Sequence, residues 1–186
     1  MKTLHTIKLI AILFISSISL SSCSEDHDDD HDYGSEEELI TTVTYTLTNG
    51  SDIVTLKFQD LDGEGGSDGT NTVSGPLTAN TVYTGSIQLL NETESPAENI
   101  TVEVEEEGDE HEFFYSSMAT GVSVAKTDTD VNGNPIGIET SLTTTNAGSG
   151  TLSIILKHEP TKPNSGLSAD AGGSTDVEVT FNITVQ

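Results

Sequence analysis

A segment near the middle of the chain has the residue types and spacing of a calcium-binding loop. Residues 128–139 (DTDVNGNPIGIE) place oxygen-bearing side chains at the first, third, fifth, seventh and twelfth positions and glycine at the sixth. Calcium binds about six to eight oxygen atoms, and a tight turn at the glycine lets alternate side chains converge on one ion. The predicted calcium ligands are Asp128, Asp130, Asn132, Asn134 and Glu139.

The same segment also fits a simple hairpin loop. A calcium loop of this type lies between two helices, whereas strand patterns flank this one. Pro135-Ile136 departs from the usual apolar residue at the eighth position, and Asn132-Gly133 and Asn134-Pro135 are turn-forming pairs. Both interpretations, a calcium site and a hairpin loop, therefore stay open.

Two further clusters combine potential metal ligands. Asp60, Asp62 and Glu64 repeat the every-second-acid spacing before a pair of glycines, which fits a weak calcium site or a flexible loop. His27 and His31 enclose three aspartates (HDDDH), and imidazole with carboxylate suits zinc, copper or nickel. The alternative for the histidine pair is a solvated acidic tail.

Shorter histidine and acid groups occur at Glu110-His111-Glu112 and His158-Glu159. Both lie in segments with strand-like alternation, which predicts histidines that point at water. No nucleophile elbow, phosphate-binding loop or dinucleotide fingerprint accompanies any of these groups. We therefore expect a protein that is not an enzyme.

The charge balance excludes one class of partner. The chain has 31 acidic residues, six lysines and no arginine, and its formal net charge is −25. Nucleic-acid binding requires neutralisation of phosphates by lysine and arginine, so we expect no nucleic-acid partner. A strongly negative surface favours solubility and attraction of cations.

The beginning of the chain predicts export and lipid attachment. Lys2 and Lys8 give a positively charged start before an apolar run at residues 9–15 (LIAILFI). Residues 20–23 (LSSC) then end on the only cysteine of the chain. This is the pattern of a lipoprotein signal peptide covering residues 1–22, with the acylated Cys23 as the first residue of the mature protein. Residues 23–38 then predict a disordered acidic tether, because they are too polar to bury a core.

Residues 39–186 predict one mainly β domain. Residues 39–48 (LITTVTYTLT) alternate apolar and polar side chains, Asn49-Gly50 is a hairpin turn signal, and residues 175–185 (TDVEVTFNITV) alternate throughout. About eight such strands, separated by turn signals, predict an antiparallel β-sandwich of the immunoglobulin-like or Greek-key type. A closed barrel is the alternative.

One segment combines helix and strand signals. Residues 95–98 (SPAE) fit a helix capping box with proline at the first helical position. Ile100, Val102 and Val104 alternate with polar residues as in a strand. We expect one short helix within residues 96–107.

The segment LSSC, followed at once by Ser24-Glu25-Asp26, resembles surface-exported lipoproteins of the Bacteroidota type. In those proteins an acidic cluster after the acylated cysteine directs transfer to the outer face of the outer membrane. Further segments that carry a resemblance are residues 36–43 (EEELITTV), 60–63 (DLDG), 91–92 (NE), 95–98 (SPAE) and 111–115 (HEFFY). Through them the rest of the chain resembles a group of small lipoproteins of the same bacteria, which often carry the label "type 1 periplasmic binding fold".

Together these features predict a non-catalytic lipoprotein that is anchored by its N-terminal lipid to the outer membrane and exposed at the cell surface. Its expected role is that of a cation-binding accessory module, with calcium or zinc as the candidate ion. The alternative is an adhesive or scaffold module that binds an envelope protein or a glycan.

Overall fold

Regular alternation of apolar and polar residues produces a strand-rich domain. The computed structural model describes residues 39–62 and 69–186, which belong to one compact unit. The elements in these residues are β1 (Thr42–Asn49), β2 (Asp52–Gln59), β3 (Thr70–Val73), β4 (Val82–Leu90), α1 (Ile100–Glu106), β5 (His111–Ser117), β6 (Val122–Lys126), β7 (Glu139–Thr144), β8 (Gly148–His158), α2 (Ser168–Ala171) and β9 (Ser174–Val185).

The strands form two antiparallel sheets that pack as a β-sandwich. The larger sheet has the order β3-β2-β1-β4-β7-β6, and the smaller sheet has the order β5-β8-β9. The chain passes between the sheets three times, after β4, after β5 and after β7. The predicted sandwich is confirmed, with nine strands in the described residues instead of about eight, and the barrel alternative is wrong.

The β1–β2 hairpin shows how the sequence pattern fixes the register. Asn49 pairs with Asp52 across a two-residue turn in which Gly50 has a φ of +59°, a conformation that glycine adopts without steric cost. Tyr45 and Leu47 then lie opposite Leu56 and Val54. All four side chains are buried between the sheets, because side chains on one strand face alternate with a period of two.

The core between the sheets combines side chains from both. Tyr45, Tyr83 and Leu142 from the larger sheet and Phe113 and Phe181 from the smaller one are completely buried. Burial of a large apolar side chain contributes about 1.5–3 kcal/mol, so each of these residues stabilises the domain. This shared apolar core joins the two sheets and so fixes the positions of the strand ends and loops.

The short helix predicted within residues 96–107 is confirmed, but the predicted capping box is wrong. The helix begins at Ile100, and Asn99 at its N-terminus makes no side-chain capping hydrogen bond. Glu98 instead exchanges two backbone hydrogen bonds with Asn91, each of 3.0 Å, which close a loop just before the helix. Ile100 and Val104 bury one face of the helix, and this burial fixes its position.

None of the helices in residues 39–62 and 69–186 has the length and apolar character needed to cross a lipid bilayer.

Candidate functional site

A cluster of potential metal ligands forms where β5 begins and β8 ends. His111 and His158 are paired across these two strands, so Glu110 and Glu159 come together just outside the pair. The backbone N–H of Glu159 donates to the carbonyl oxygen of Glu110 at 2.6 Å. One ligand atom from each of Glu110, His158 and Glu159 lies within 4.8 Å of the other two, the only such group of three or more acidic, histidine or cysteine side chains in the described residues.

His158 is the central side chain of this cluster. Its Nε2 atom lies 3.8 Å from Oε2 of Glu110, and its side chain is 14% exposed, whereas that of Glu110 is 55% exposed. The cluster therefore has one sheltered imidazole and carboxylates that reach the solvent. Imidazole with carboxylates is a ligand set that suits zinc and other first-row transition metals.

A second histidine lies directly behind the first. The rings of His111 and His158 are stacked, with centroids 4.8 Å apart and an angle of 9° between the planes. His111 is completely buried: its Nδ1 lies 3.2 Å from the carbonyl oxygen of Glu107, and its Nε2 lies 4.0 Å from Oδ2 of the buried Asp176. The stack restricts the ring orientation of His158.

The prediction that these histidines point at water is wrong for His111. It lies on the same strand face as Phe113 and Tyr115, which face the core. Asp176 lies at a register shift between β8 and β9, between Thr175, which is opposite Lys157, and Val177, which is opposite Leu156. Such a shift adds one residue to a strand and redirects its side chain, and this gives His111 an acidic neighbour in the interior.

The turn that carries Glu159 requires a close backbone approach. Glu159 has a φ of +51°, and Gly173, just before β9, has a φ of +67°. A Cβ atom on Gly173 would overlap the carbonyl oxygen of His158 and would lie 2.9 Å from the carbonyl carbon of Glu159. Glycine at position 173 is thus needed for the observed position of two of the three ligands.

In the 128–139 loop, the carboxylate of Asp128 accepts backbone hydrogen bonds. Gly137 donates to Oδ1 at 2.8 Å, and Ile138 and Glu139 donate to Oδ2 at 2.8 and 3.1 Å. A carboxylate has about four lone-pair sites, so these three donors occupy most of its capacity. In this structure Asp128 holds the start of β7 in place.

Asp130 has a similar structural role. Its Oδ1 accepts the backbone N–H groups of Asn132 and Asn134 at 2.8 and 2.9 Å, and its Oδ2 lies 3.3 Å from Asn134 Nδ2 and 3.4 Å from Lys162 Nζ. Burial would raise the pKa of Asp130, but the N–H donors and Lys162 outweigh it and lower the pKa below its ordinary value. These contacts are those of a closed hairpin loop, the second of the two sequence interpretations.

The proposed calcium ligands separate into two groups. Asp128, Asp130 and Glu139 line a groove of about 280 Å³ together with Glu105 and Asp109, whereas the two asparagines do not line it. Burial raises the pKa of Glu139, and the charges of Asp128 and Glu105 raise it further. The groove concentrates negative charge, and calcium binding there stays a prediction.

The remaining predicted sites fall partly outside the described residues. Asp60 directly follows β2 and its backbone N–H donates to the carbonyl oxygen of Thr41 at 2.8 Å; Asp62 lies two residues further along. Glu64, the lipidation residue Cys23, and His27 and His31 lie outside the described residues.

Comparison of the chain with protein-family models, curated proteins and solved structures finds no match, so the function is argued from the side chains themselves.

Proposed function

We propose that this protein is a lipid-anchored surface lipoprotein that binds a divalent transition metal, with zinc as the candidate, at Glu110, His158 and Glu159. The observation that supports this best is the convergence of three ligand atoms within 4.8 Å of one another. Its role is non-catalytic, and the metal is held for structural or uptake purposes.

The ligand set favours zinc over calcium at this cluster. Calcium takes oxygen ligands only, whereas zinc binds imidazole nitrogen and carboxylate oxygen at about 2.0–2.2 Å. Two such ligands in a tetrahedral site are about 3.4 Å apart. The Nε2–Oε2 distance of 3.8 Å between His158 and Glu110 is close to this value, so this pair needs only a small side-chain rotation to reach it.

Preorganisation supports modest affinity. The stack on His111 restricts the ring of His158, and the hydrogen bond between Glu159 and Glu110 holds the backbones of these two residues together before an ion arrives. The net charge of −25 raises the local concentration of cations. Three protein ligands leave the fourth position of zinc for water, as in an open site, which suits reversible binding on the order of micromolar.

Lipid attachment at Cys23 supplies the location in this proposal. The signal-like residues 1–22 end directly before that cysteine, and each buried CH₂ of an acyl chain contributes about 0.8 kcal/mol to membrane binding. Two or more chains give stable anchoring. Labelling of cells with a palmitate analogue tests this part: wild-type protein should carry the label in the membrane fraction, and a Cys23→Ser variant should lack it.

Calorimetric titration with zinc tests the metal site. The protein is the mature chain, residues 23–186 with Cys23→Ser, titrated with zinc, nickel or calcium chloride. We expect His158→Gln to weaken zinc binding at least about tenfold, because it removes the only nitrogen ligand. Glu178→Gln, an exposed acid on β9, is the matched control and should leave the affinity unchanged.

The histidines at positions 27 and 31 are a second potential zinc site, so the double variant His27→Ala/His31→Ala separates their contribution. Zinc binding by this double variant that disappears on adding His158→Gln would support the cluster. The proposal is refuted if adding His158→Gln leaves the zinc affinity of the double variant unchanged. It is also refuted if the double variant binds zinc with a dissociation constant above about 1 mM.

A further inference from the structure

A polar pocket of about 400 Å³ opens between the outer strands of the two sheets. Strand β5 is at one edge of the smaller sheet and β6 is at one edge of the larger sheet. Glu112 and Tyr115 of β5, Lys126 of β6, and Lys162 and Asn164 from the segment after β8 line the pocket. Its volume lies within the range of about 300–1,000 Å³ that is typical of small-molecule sites.

The pocket contains two of the four lysines that follow Cys23. Lys126 Nζ contacts Oε1 of Glu112 in a pair whose side chains are 16% and 4% exposed, and it lies 4.3 Å from the centre of the Phe114 ring. Burial lowers the pKa of Lys126, and the adjacent Glu112 partly offsets this effect. Buried charges of this kind are maintained only where partners compensate them.

Every charge in the pocket has such a partner. Lys162 Nζ lies 3.4 Å from Asp130 Oδ2 and also donates to the carbonyl oxygens of Gly108 and His111. The side-chain amide of Asn164 donates to the second oxygen of Glu112 at 2.6 Å. The result is a fixed set of hydrogen-bonding groups in which Glu112 balances Lys126, and Asp130 of the neighbouring groove balances Lys162.

We propose that this pocket binds an uncharged saccharide unit. An anion would be repelled by the net charge of −25, and a cation would approach two ammonium groups. Neighbouring sugar hydroxyls, which both donate and accept, match the pocket. Lys126 has three N–H donors, of which one is directed at Glu112, and each carboxylate oxygen of Glu112 accepts one hydrogen bond and can accept another.

An adjoining apolar notch matches the C–H groups on the face of a sugar ring. This notch, of about 180 Å³, is lined by Phe114 and Leu167 and shares Tyr115 and Gly166 with the polar pocket. A saccharide has C–H groups on its ring faces and hydroxyls at its edge, so the ring can lie on the apolar surface while the hydroxyls bond to the polar groups. The saccharide proposal is independent of the metal site, since none of Glu110, His158 and Glu159 lines the pocket.

NMR titration of the ¹⁵N-labelled mature chain, with EDTA present to remove metal, tests the proposal. The probes are glucose, galactose, mannose and N-acetylglucosamine, with glucuronate and glucosamine as charged counterparts. We expect saturable shifts around Lys126 and Asn164 with at least one neutral sugar, at dissociation constants on the order of millimolar. Both charged sugars should bind several-fold more weakly than their neutral parent.

Two variants locate the binding. The side-chain amide of Asn164 donates to Glu112 and to the carbonyl oxygen of Thr161, so this residue positions Glu112. Asn164→Ala releases the Glu112 carboxylate and should weaken binding of the neutral sugar about tenfold. Lys126→Met should also weaken it about tenfold. Lys57→Met, which changes a partly exposed lysine on β2, is the matched control that leaves binding unchanged. Lys126→Met also removes the ion-pair partner of the buried Glu112 and can destabilise the fold. The affinity of each variant is therefore interpreted only if its amide spectrum matches that of the wild type. Shifts that do not saturate, tighter binding of glucuronate than of any neutral sugar, or unchanged affinity in folded Asn164→Ala would overturn the assignment.

Discussion

Replacing Asp130 by alanine should destabilise the domain by about 3 kcal/mol. The substitution removes the acceptor of two backbone N–H groups, those of Asn132 and Asn134, and the acidic partner of Lys162. Breaking a buried ion pair costs about 3–5 kcal/mol because the other charge stays buried. Lys162, 5% exposed, keeps its two carbonyl acceptors, and Asn132 is an exposed residue, so the lower end of this range applies.

Urea unfolding followed by far-ultraviolet circular dichroism measures the effect. Asp130→Asn keeps a side-chain oxygen for the turn but loses the charge, and we expect it to cost about 1–2 kcal/mol. Asp109→Asn, an exposed acid at the same groove, is the control and should change stability by less than about 0.5 kcal/mol. These values should hold in EDTA, because the role assigned to Asp130 needs no metal. A loss below about 0.5 kcal/mol for Asp130→Ala, or one seen only with added calcium, would refute the reasoning and favour the calcium interpretation.

The pH dependence of the same variants gives a separate test. The pKa of Asp130 is lower in the folded protein than its ordinary value, so its ionised form stabilises the fold at pH values above the ordinary pKa. This contribution is lost as the pH falls through the lowered pKa. The stability difference between wild type and Asp130→Asn should therefore be full at neutral pH and shrink in acid. A difference that grows as the pH falls would contradict the pKa direction.

Two further substitutions test the packing. Gly173→Ala should destabilise the fold more than Gly172→Ala and weaken zinc binding about tenfold, because only a Cβ at position 173 would overlap the carbonyl oxygen of His158. Both glycines have positive φ, so both substitutions cause backbone strain and only Gly173→Ala adds the overlap. Urea unfolding and zinc titration of the two variants measure the difference. Equal effects on zinc binding would exclude the overlap as the cause. Tyr45→Phe should lower the free energy of unfolding in urea by about 1–2 kcal/mol, because it removes the buried 2.7 Å hydrogen bond to Thr140 and keeps the ring. Thr140→Val should lower it by a similar amount. Unchanged stability of both variants would contradict a stabilising role of this hydrogen bond.

Strand alternation made most of the fold predictable. Val43, Tyr45 and Leu47 alternate with threonines in the sequence and occupy buried positions in β1. Asn49-Gly50 marks the turn that follows. The start of α1 was less predictable because the capping signal at Ser95 lies in a loop that the pairing of Asn91 with Glu98 closes, a contact made outside the helix. Local signals thus identified the helix but not its first residue, which tertiary pairing decides.

The inward-facing positions of the two histidines could have been predicted from the alternation of side chains along their strands. His111 precedes Phe113 by two residues, and His158 follows Leu156 by two, so each histidine shares a face with a core residue. A period of two places both histidines on the inner face. The pairing of β5 with β8 cannot be obtained from parity, because it depends on which strands become neighbours. The contact with Asp176 depends in addition on a register shift in β9.

The loop at residues 128–139 illustrates why a correct spacing is insufficient. Carboxylates at alternate positions around a glycine can converge on an ion, but they can equally accept backbone N–H groups of the same turn. The contact that distinguishes the second arrangement here is made by Lys162, which lies 32 residues away from Asp130 in the sequence. No motif limited to the loop itself contains that information.

The placement of lysines explains how such an acidic chain forms a core and keeps a negative surface. Only four lysines follow Cys23, and two of them compensate carboxylates in the interior, Lys126 with Glu112 and Lys162 with Asp130. An exposed ion pair contributes only about 0–1 kcal/mol, whereas a buried carboxylate without a partner costs several kcal/mol. The few cations therefore stabilise the fold most where carboxylates are buried. As a consequence they neutralise little of the surface charge, and the cation attraction on which the metal proposal depends follows from the same distribution.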